Sequence, residues 1–538
     1  MTSRQHAGTD ADGRAPRGRS RRVAVLGATV AVCLTAAGVL SVQGVREPEA
    51  PAHDLLSASP SIAALQAAAP TTSRAMAAAS STAFPESSTA AAPARATTAA
   101  SSAPASPAPR AAATTATAST STVTASTSTA PASVSASTAA KPAPQPAAAT
   151  TTTTKAPAAT AIGTATLPAP PAQPMAASVY ATRPLVPVER FGAAGDGVRD
   201  DTAALQKALD SVPANSVLQL RAGATYLHSD VLRLTRPDVA IAGTGATLLA
   251  TNEARSAFHV TASASRAQVT GVTFGLTAST RRWDAPAQDK VRVWASDVVL
   301  RDVHVQGAAA AGIFMDGAAR FLLDRVTVSD SRADGIHMSR GARDGRVVSP
   351  VTNRTGDDGV AVVSYRSDGV VSARIQITSP TVNGTTWGRG ISVVGGDDIS
   401  YTDVTIRDTD AAAVYIGSEG DPYWTFPSRR VLVRGGTVTG ANANVQKDHG
   451  ALMVYSGNVG TQTSDVTLQD LTLRDTRTSA TWNAGVLADP GAYLNRISLS
   501  GLTLVGGPAL PVYTSTPSAV RVTGLVDDGA PFAYRSGW

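Results

Sequence analysis

The sequence from residue 183 to residue 538 predicts an all-β domain folded as a right-handed parallel β-helix. A short apolar segment recurs at intervals of about 23 to 38 residues, the length of one coil with its loops. Strands of alternating apolar and polar residues fall between these segments in a fixed order. Alternation is typical of half-buried strands, and a fixed order in each period is typical of stacked coils. The domain contains no cysteine, so packing rather than disulfides must stabilise it.

The recurring apolar segment fixes the register of the coils. Aligned on the first aliphatic residue, its copies start at Ile313, Ile336, Val360, Ile391, Val414, Leu452 and Val486. A β-propeller also repeats at about 40 residues, but each of its blades needs four antiparallel strands. These coils have room for only two or three short strands. The spacing therefore favours a solenoid.

A capping helix is expected at the N-terminal end of the solenoid, because an open apolar end must be covered. Asp201 or Thr202 can cap a helix at this place. One face of that helix is apolar and consists of Leu205, Leu209 and Val212. The spacing of this face matches a helix that packs on the first coil.

The first 42 residues predict a membrane anchor whose N-terminus lies in the cytoplasm. Residues 1–22 form a basic tail that ends in RGRSRR, and residues 23–42 are uncharged and apolar. About 20 residues span a hydrocarbon core of ~30 Å, and basic residues stay on the cytoplasmic side. The alternative is a long signal peptide that is cleaved near Val42-Gln43-Gly44, which would make the protein secreted.

Residues 43–182 predict a disordered linker, because Ala, Ser, Thr and Pro dominate them. With few large apolar side chains, such a segment cannot offset the entropy lost on ordering. Its prolines favour extended stretches that can hold a domain away from the membrane. The expected arrangement is a single-pass protein with an extracellular β-helix.

The net charge of +6 does not indicate nucleic-acid binding. Residues 181–538 contain 34 basic and 34 acidic side chains, so the positive excess lies in the N-terminal segments. A surface for phosphate backbones needs a local basic excess. We therefore expect no nucleic-acid partner. The expected partners are a polysaccharide and, through residues 23–42, the membrane, and we expect a monomer.

Charged residues recur at one place in neighbouring coils. Two residues before the first aliphatic position stand Asp334, Asp358 and Arg389, and Asp357 adjoins Asp358. Coils stack at ~4.8 Å, so these groups should lie within reach of one sugar. Two carboxylates about 5 Å apart repel by about 3 kcal/mol at an effective dielectric of ~20, which should raise one pKa. A protonated acid beside ionised carboxylates is what glycoside hydrolysis requires.

The N-terminal stretch of the domain resembles a known family. FGAAGDGVRDDTAALQKALDSV, residues 191–212, is similar to the signature that opens the rhamnogalacturonase/epimerase-like pectate lyase family. Together with the coils, the resemblance covers the chain from about Val188 onward and implies the pectin-lyase-like β-helix. It does not imply one reaction, because hydrolases, lyases, epimerases and phage tailspikes share the fold.

The acidic positions also resemble the polygalacturonase family of glycoside hydrolases. The paired-aspartate motif of that family matches Gly356-Asp357-Asp358, and the aspartate of its Asn-Thr-Asp motif matches Asp334. The resemblance implies that Asp357 is the general acid and that Asp334 and Asp358 activate a water molecule. It further implies inverting hydrolysis of a pectin-like or other acidic or cell-wall polysaccharide, without a cofactor.

Departures from that pattern keep two other functions open. The family's Gly-His-Gly is Gly388-Arg389-Gly390 here, and its Arg-Ile-Lys is Tyr415-Ile416-Gly417, so the cations that would bind a uronate are missing. Arg389 could instead act as the base of a polysaccharide lyase or epimerase, with Ca²⁺ held by Asp357 and Asp358. The second alternative is a β-helix that binds glycans without cleaving them.

Four residues near the acidic positions are candidates for substrate binding. His337 follows Ile336 and should point out of the coil, and Tyr415 takes the equivalent place in a later coil. Trp387 and Trp424 lie in loops, where an aromatic ring can stack on a sugar.

Overall fold

The structure is a computed structural model that describes residues 182–534 and 536–537. The predicted basic tail, the membrane anchor and almost all of the predicted linker lie outside these residues. Within the described part, no helix is long and apolar enough to cross a membrane.

The recurring apolar segments form one parallel sheet of eleven strands, which we call sheet 1. Neighbours in this sheet follow one another along the chain, one strand per coil, as the repeat predicts. Its strands are Leu232–Leu234, Phe258–Val260, Val291–Val293, Ile313–Asp316, Ile336–Ser339, Val360–Val363, Ile391–Val394, Val414–Ser418, Leu452–Ser456, Ala484–Ala488 and Val512–Thr514.

The remaining 22 strands form sheet 2, which consists of two parallel ladders that meet along a corner of the coils. Long strands such as Gly396–Arg407 run through both ladders, pairing with Ala373–Thr378 in one and Thr381–Thr385 in the other. Only the last two strands pair antiparallel. The strands are Leu185–Pro187, Asp196–Asp200, Val217–Gln219, Thr225–His228, Ala240–Ala250, Gln268–Leu276, Val299–Arg301, His304–Ala308, Leu322–Asp324, Thr327–Ser331, Arg343–Val348, Val351–Thr355, Ala373–Thr378, Thr381–Thr385, Gly396–Arg407, Ser428–Thr439, Gln462–Arg474, Tyr493–Ser500, Thr503–Val505, Val520–Thr523, Leu525–Asp527 and Ala530–Phe532.

The core lies inside the coils and is filled by the apolar positions of each strand. In sheet 1, Ile336 stacks on Val360 and Met338 on Val362, and all four side chains are fully buried. The predicted register is wrong in one late coil, where Leu452 pairs with Ala484 and not with Val486. An alanine can occupy the inward position, so alignment on the first large aliphatic residue misplaced this strand by two residues.

The capping helix, α1, comprises Thr202–Ser211. Leu205, Leu209 and Val212 are buried, as predicted, and pack against the first coils. Asp201 takes the N-cap position, but its side chain makes no cap hydrogen bond. Its carboxylate instead accepts hydrogen bonds from the amides of Ala194 and Gly195 at 2.7 and 2.9 Å, which fixes the loop before the strand Asp196–Asp200. The remaining helices are 3-10 turns at Val188–Phe191, Glu253–Arg255, Pro286–Gln288, Arg366–Asp368 and Pro517–Ala519.

The corner between sheet 1 and sheet 2 carries a column of alternating aspartates and arginines, which we call the Asp–Arg ladder. All ten residues have left-handed backbone conformations, with φ between +51° and +62°. In five pairs, the arginine of one coil binds the aspartate of the preceding coil at 2.5 to 2.8 Å. Its members are Asp238, Arg266, Asp297, Arg320, Asp344, Arg374, Asp398, Arg430, Asp465 and Arg496. The ladder explains part of the equal number of acidic and basic side chains in the domain.

Candidate active site

Three aspartates from two adjacent coils meet beside sheet 1. Asp334 comes two residues before the strand Ile336–Ser339, and Asp358, with Asp357 beside it, comes two residues before the strand Val360–Val363. Because the two strands pair in register, one oxygen of each carboxylate lies within 4.8 Å of the others. All three residues are at most 8% exposed. We call them the acidic cluster.

Main-chain amides of the next coil orient two members of the cluster. Asp334 Oδ1 accepts a hydrogen bond from the Asp358 amide at 3.0 Å, and Asp358 Oδ1 accepts one from the Arg389 amide at 2.7 Å. The second oxygen of each has a side-chain partner. His337 Nδ1 lies 2.5 Å from Asp334 Oδ2, and Ser392 Oγ donates to Asp358 Oδ2 at 2.6 Å. Both carboxylates are therefore engaged at both oxygens.

Asp357 has the least satisfied carboxylate of the three. Arg282 Nη1 donates to its Oδ2 at 2.8 Å. Its Oδ1 is buried without a hydrogen-bond partner among the described residues. Gly388 in the next coil approaches so closely that a Cβ atom there would lie 2.5 Å from this oxygen. The glycine thus leaves the space that the carboxylate occupies between the coils.

Burial raises the pKa values of the paired aspartates. It raises the pKa of Asp358 to about 7, although the charge of Arg389 opposes this rise. Burial also raises the pKa of Asp357, and the neighbouring charge of Asp334 adds to the effect. The pair therefore retains a proton near neutral pH. The proton belongs on Asp357, because Asp358 accepts hydrogen bonds at both oxygens and so holds a negative charge better.

Arg389 is held as a cation between two carboxylates. Its guanidinium forms an ion pair with Glu419, and its Nη1 lies 3.6 Å from Asp358 Oδ2. The guanidinium also packs 4.3 Å from the centre of the Tyr415 ring. Although burial opposes the charged form, Glu419 and Asp358 raise the pKa of Arg389 well above its ordinary value. A neutral arginine is therefore strongly disfavoured at this position.

Comparison with known proteins identifies the family. The sequence profile of the family described as "Rhamnogalacturonase A/epimerase, pectate lyase-like" matches residues 185–480, more than half of the chain and the whole of the acidic cluster. The chain belongs to this family. Comparison with curated protein sequences gives no significant match.

Solved structures that are similar to this pectate lyase-like domain match it at low sequence identity. The A-module of the mannuronan C-5 epimerase AlgE6 of Azotobacter vinelandii is 17% identical, with 64% of this chain and 100% of that chain covered and a TM-score of 0.39. The catalytic domain of a GH87 alpha-1,3-glucanase in complex with nigerose is 16% identical, with 66% and 70% covered and a TM-score of 0.45. The family 28 exopolygalacturonase of Yersinia enterocolitica is 13% identical, with 65% and 80% covered and a TM-score of 0.40.

The predicted binding residues occupy different depths in this member of the family. Trp387 and Trp424 are 38% and 46% exposed, so both rings are accessible to a ligand. His337 points out of the coil, as predicted, but its Nδ1 is engaged by Asp334. Tyr415 is only 3% exposed and lies beneath Arg389. Its ring therefore supports Arg389 instead of forming part of the accessible surface.

Three charged residues that complete the site were not predicted from the sequence. Arg282 comes from the insertion that separates strands Gln268–Leu276 and Val291–Val293, and it reaches Asp357 across 75 residues of sequence. Glu419 follows the strand Val414–Ser418. The third residue, Asp289, could have been predicted from the register. Val291 pairs with Ile313, so Asp289 lies in the same column as Asp334, two coils before it, with Ala311 between them. No periodic signal marks Arg282 or Glu419.

The acidic cluster does not fit a calcium ion. Ca²⁺ requires about six to eight oxygen ligands in an anionic site. Here Arg282 and Arg389 place guanidinium nitrogens 2.8 Å and 3.6 Å from oxygens of Asp357 and Asp358. These cations neutralise the carboxylates and take up directions from which a metal would bind. The alternative that needs Ca²⁺ gains no support from this donor set.

Proposed function

We propose that this protein is a polysaccharide-active enzyme, an inverting glycoside hydrolase that acts on a pectin-like or other acidic or cell-wall polysaccharide. The observation that carries the proposal is the meeting of three buried carboxylates, one of which, Asp357, has an unpaired oxygen. Like charges at this distance cannot all be ionised without cost, so the cluster keeps a proton. Membership of a family named for rhamnogalacturonase and pectate lyase-like proteins supports the substrate class.

Asp357 acts as the general acid in this proposal. Its proton passes to the glycosidic oxygen as the bond from that oxygen to the anomeric carbon breaks. Arg282 can make way for the sugar, because it lies on the open side of the cluster with 35% of its side chain exposed and contacts Asp357 through one nitrogen. The attacking water is activated on the side of Asp334 and Asp358, whose engaged oxygens stabilise negative charge.

Two exposed aromatic rings would bind neighbouring sugars. Trp424 lies in the loop after the strand Val414–Ser418. Trp387 lies in the loop before the strand Ile391–Val394, at the opposite edge of sheet 1. Lys447 Nζ lies 4.4 Å from the centre of the Trp387 ring and binds Asp410 at 2.8 Å, which holds this ring in place. Aromatic rings of this kind stack on the apolar faces of sugars.

The surroundings of Arg389 weigh against the lyase or epimerase alternative. An arginine base must lose a proton before it can abstract one, and Glu419 and Asp358 raise the pKa of Arg389. The hydrolase does not need a neutral arginine. In it, Arg389 orients Asp358 through its amide and balances the charge of the cluster through its guanidinium.

The location that we propose follows from the segments before the domain. Residues 23–42 would anchor the protein in the membrane or serve as a cleaved signal, and residues 43–182 would extend the β-helix outside the cell. A monomeric enzyme that reaches a polysaccharide outside the cell fits this arrangement. It needs no cofactor for hydrolysis.

The proposal is tested by incubating the purified full-length protein with homogalacturonan, rhamnogalacturonan, mannuronan and alpha-1,3-glucan. New reducing ends without ultraviolet absorbance from unsaturated sugars are expected from one acidic polymer. Unsaturated products would establish a lyase, and retention on affinity gels without cleavage would establish a binding protein. The variant Asp357→Asn should lose cleavage, whereas Asp344→Asn in the Asp–Arg ladder is the matched control and should retain it.

The stereochemistry of the first product tests inversion. Proton NMR of the anomeric signals during the first minutes should show the anomer opposite to that of the cleaved bond. Retention of the anomeric configuration would show that a carboxylate attacks the sugar directly, and the inverting mechanism would then be abandoned.

A further inference from the structure

The contact between Asp334 and His337 divides the roles of the two imidazole nitrogens. Nδ1 lies 2.5 Å from Asp334 Oδ2, so an ionised Asp334 holds the proton of a neutral ring on Nδ1. Nε2 makes no hydrogen bond to any described residue, and it is not among the buried polar atoms without a partner. The side chain is 12% exposed. Nε2 is therefore the basic atom of the ring and the one open to solvent.

The ring is fixed by its neighbours on sheet 1. His337 pairs with Phe314 of the preceding coil, and the two rings meet edge to face with centroids 4.6 Å apart. The Asp358 amide holds the other oxygen of Asp334 at 3.0 Å. The carboxylate and the imidazole are thus both oriented before any substrate arrives. Preorganisation of this kind is what a proton-transfer group requires.

The nearest oxygens of the acidic cluster lie closer together than the two carboxyl groups of a typical inverting enzyme. Inverting enzymes separate the acid and the base by about 6.5–9.5 Å, so that a water molecule fits between the base and the sugar. In the cluster, one oxygen of each aspartate lies within 4.8 Å of the others. His337 extends outward from Asp334 by the width of an imidazole ring. Nε2 lies across the ring from Nδ1 and therefore does not face the Asp334 carboxylate.

We propose that His337 Nε2 is the general base that activates water and that Asp334 is a positioning residue that orients the imidazole. The inference rests on the proposed glycoside hydrolysis and names the base of that reaction. The water oxygen forms a bond to the anomeric carbon, and one water proton moves to Nε2. The bond from the anomeric carbon to the glycosidic oxygen breaks, its electron pair stays on that oxygen, and the oxygen takes the proton of Asp357. The imidazolium then returns a proton to Asp357 through solvent.

Charged groups around His337 set the pH range of this step. Burial lowers the pKa of His337, but the hydrogen bond and the charge of Asp334 outweigh it, and Asp289 and Asp358 add to the rise above the ordinary value of 6.5. Asp368, in the turn that follows the strand Val360–Val363, interacts with His337 through its charge. Asp289, which also acts on His337, forms an ion pair with Arg292. Because the base must be neutral, kcat/KM should rise with pH through the pKa of His337 and fall when the acidic pair loses its proton.

The activity test uses the full-length protein and the variants His337→Asn, His337→Gln and Asp334→Asn. The asparagine can keep a hydrogen bond to Asp334 but has no basic nitrogen, so kcat should fall about 100- to 10,000-fold with little change in KM. The rising limb of the pH profile should disappear, and added imidazole should restore part of the rate. His304→Asn, which changes an exposed histidine on sheet 2, is the control and should behave as the wild type.

A spectroscopic test does not depend on activity. In ¹⁵N-histidine-labelled protein, His337 should carry its proton on Nδ1 when neutral and titrate above 6.5, and Asp334→Asn should lower that pKa. A proton on Nε2 or a pKa below 6.5 in the wild type would overturn the inference. Normal turnover of His337→Asn beside an inactive Asp357→Asn would also overturn it and would leave the hydrolase standing. If the wild type cleaves no glycan, the proposed function fails and the base fails with it.

Discussion

The Asp–Arg ladder and the acidic cluster are both columns of charged residues at turns of the same coils, yet they have opposite environments. In the ladder, signs alternate, the arginines are 44% to 53% exposed, and each arginine pairs with an aspartate. In the acidic cluster, three groups of one sign are at most 8% exposed. The stacking distance is the same in both places. The difference shows that the sign of the neighbours and access to solvent, and not the coil geometry, decide what a stacked charge does.

The energetic consequences of the two columns also differ. Exposed ion pairs contribute little, about 0–1 kcal/mol each, because water screens them. Buried like charges are costly unless one of them takes a proton. The ladder therefore contributes at most modestly to stability, whereas burial and repulsion in the cluster raise the pKa of Asp357.

Replacing one aspartate by asparagine in each column should give the largest difference in cleavage rate. Asp357→Asn should reduce glycan cleavage about 100- to 10,000-fold, because it removes the proposed acid, while the protein stays folded. Asp344→Asn in the ladder should change the rate by less than about twofold, because this side chain binds Arg374 and no member of the acidic cluster. Rates on the cleaved polymer and melting curves of both variants measure the contrast. Equal rates for the two variants would remove any catalytic distinction between the columns.

Lys290, next to Asp289, is a buried lysine that has no carboxylate partner among the residues that the structure describes. It is fully buried, and its Nζ donates one hydrogen bond to the Ser256 carbonyl at 2.8 Å. Burial lowers the pKa of Lys290 to about 7. The unfolded chain then binds a proton that the folded protein does not between pH 7 and about 10.4, so this residue makes the protein more stable as pH rises.

Lys290→Met should therefore raise the free energy of unfolding at pH 7 by about 2–3 kcal/mol after the lost hydrogen bond is allowed for. The gain should shrink towards pH 10. Urea unfolding at both pH values measures it, with the exposed Lys207→Met as control. A gain that does not depend on pH would contradict the assignment of a neutral buried lysine.

Gly388 tests how tightly the acidic cluster is packed. A Cβ at this position would come within 2.4 Å of the Asp357 carbonyl carbon and 2.5 Å of its Oδ1. Gly388→Ala should cost about 1–3 kcal/mol of stability and shift Asp357 enough to impair cleavage. Ala411, the equivalent residue of the next coil, provides the control, because Ala411→Gly should cost about 1 kcal/mol or less and leave the rate unchanged. Chemical unfolding and cleavage kinetics measure the two effects. If Gly388→Ala keeps both wild-type stability and the wild-type rate, the coils can separate locally at this position.

The smallest expected effect is on the ladder itself. Arg374→Gln removes the partner of Asp344 and should lower stability by about 0–1 kcal/mol at low salt. The difference from the wild type should vanish at about 1 M salt, where the Debye length is about 3 Å. Thermal unfolding in both buffers measures it. A loss of several kcal/mol that persists at high salt would show that ladder pairs are as critical as buried ones.

Much of the fold and part of the site could be predicted from the sequence. The apolar period placed Ile313 to Leu452 in the correct register, so Asp334, Asp358 and Arg389 were correctly placed in one column. The register failed where Ala484 takes an inward position. The Asp–Arg ladder was not predicted, although aspartate and arginine alternate periodically, because both residue types also occur at turns as ordinary solvated residues.

The side chains that recur once per coil follow directly from the amino-acid sequence, because the hydrophobic period forces the strands to stack and the stacking aligns the turns. The protonation and the partners of those side chains follow from the folded arrangement of the loops. Arg282 reaches Asp357 from a loop three coils away. Glu419 follows the strand Val414–Ser418 and forms an ion pair with Arg389, which precedes a strand of the neighbouring coil. Loop paths follow from contacts with neighbouring coils and carry no period. Burial and charge pairing set the pKa values of the paired aspartates, and both exist only once the loops have packed over sheet 1.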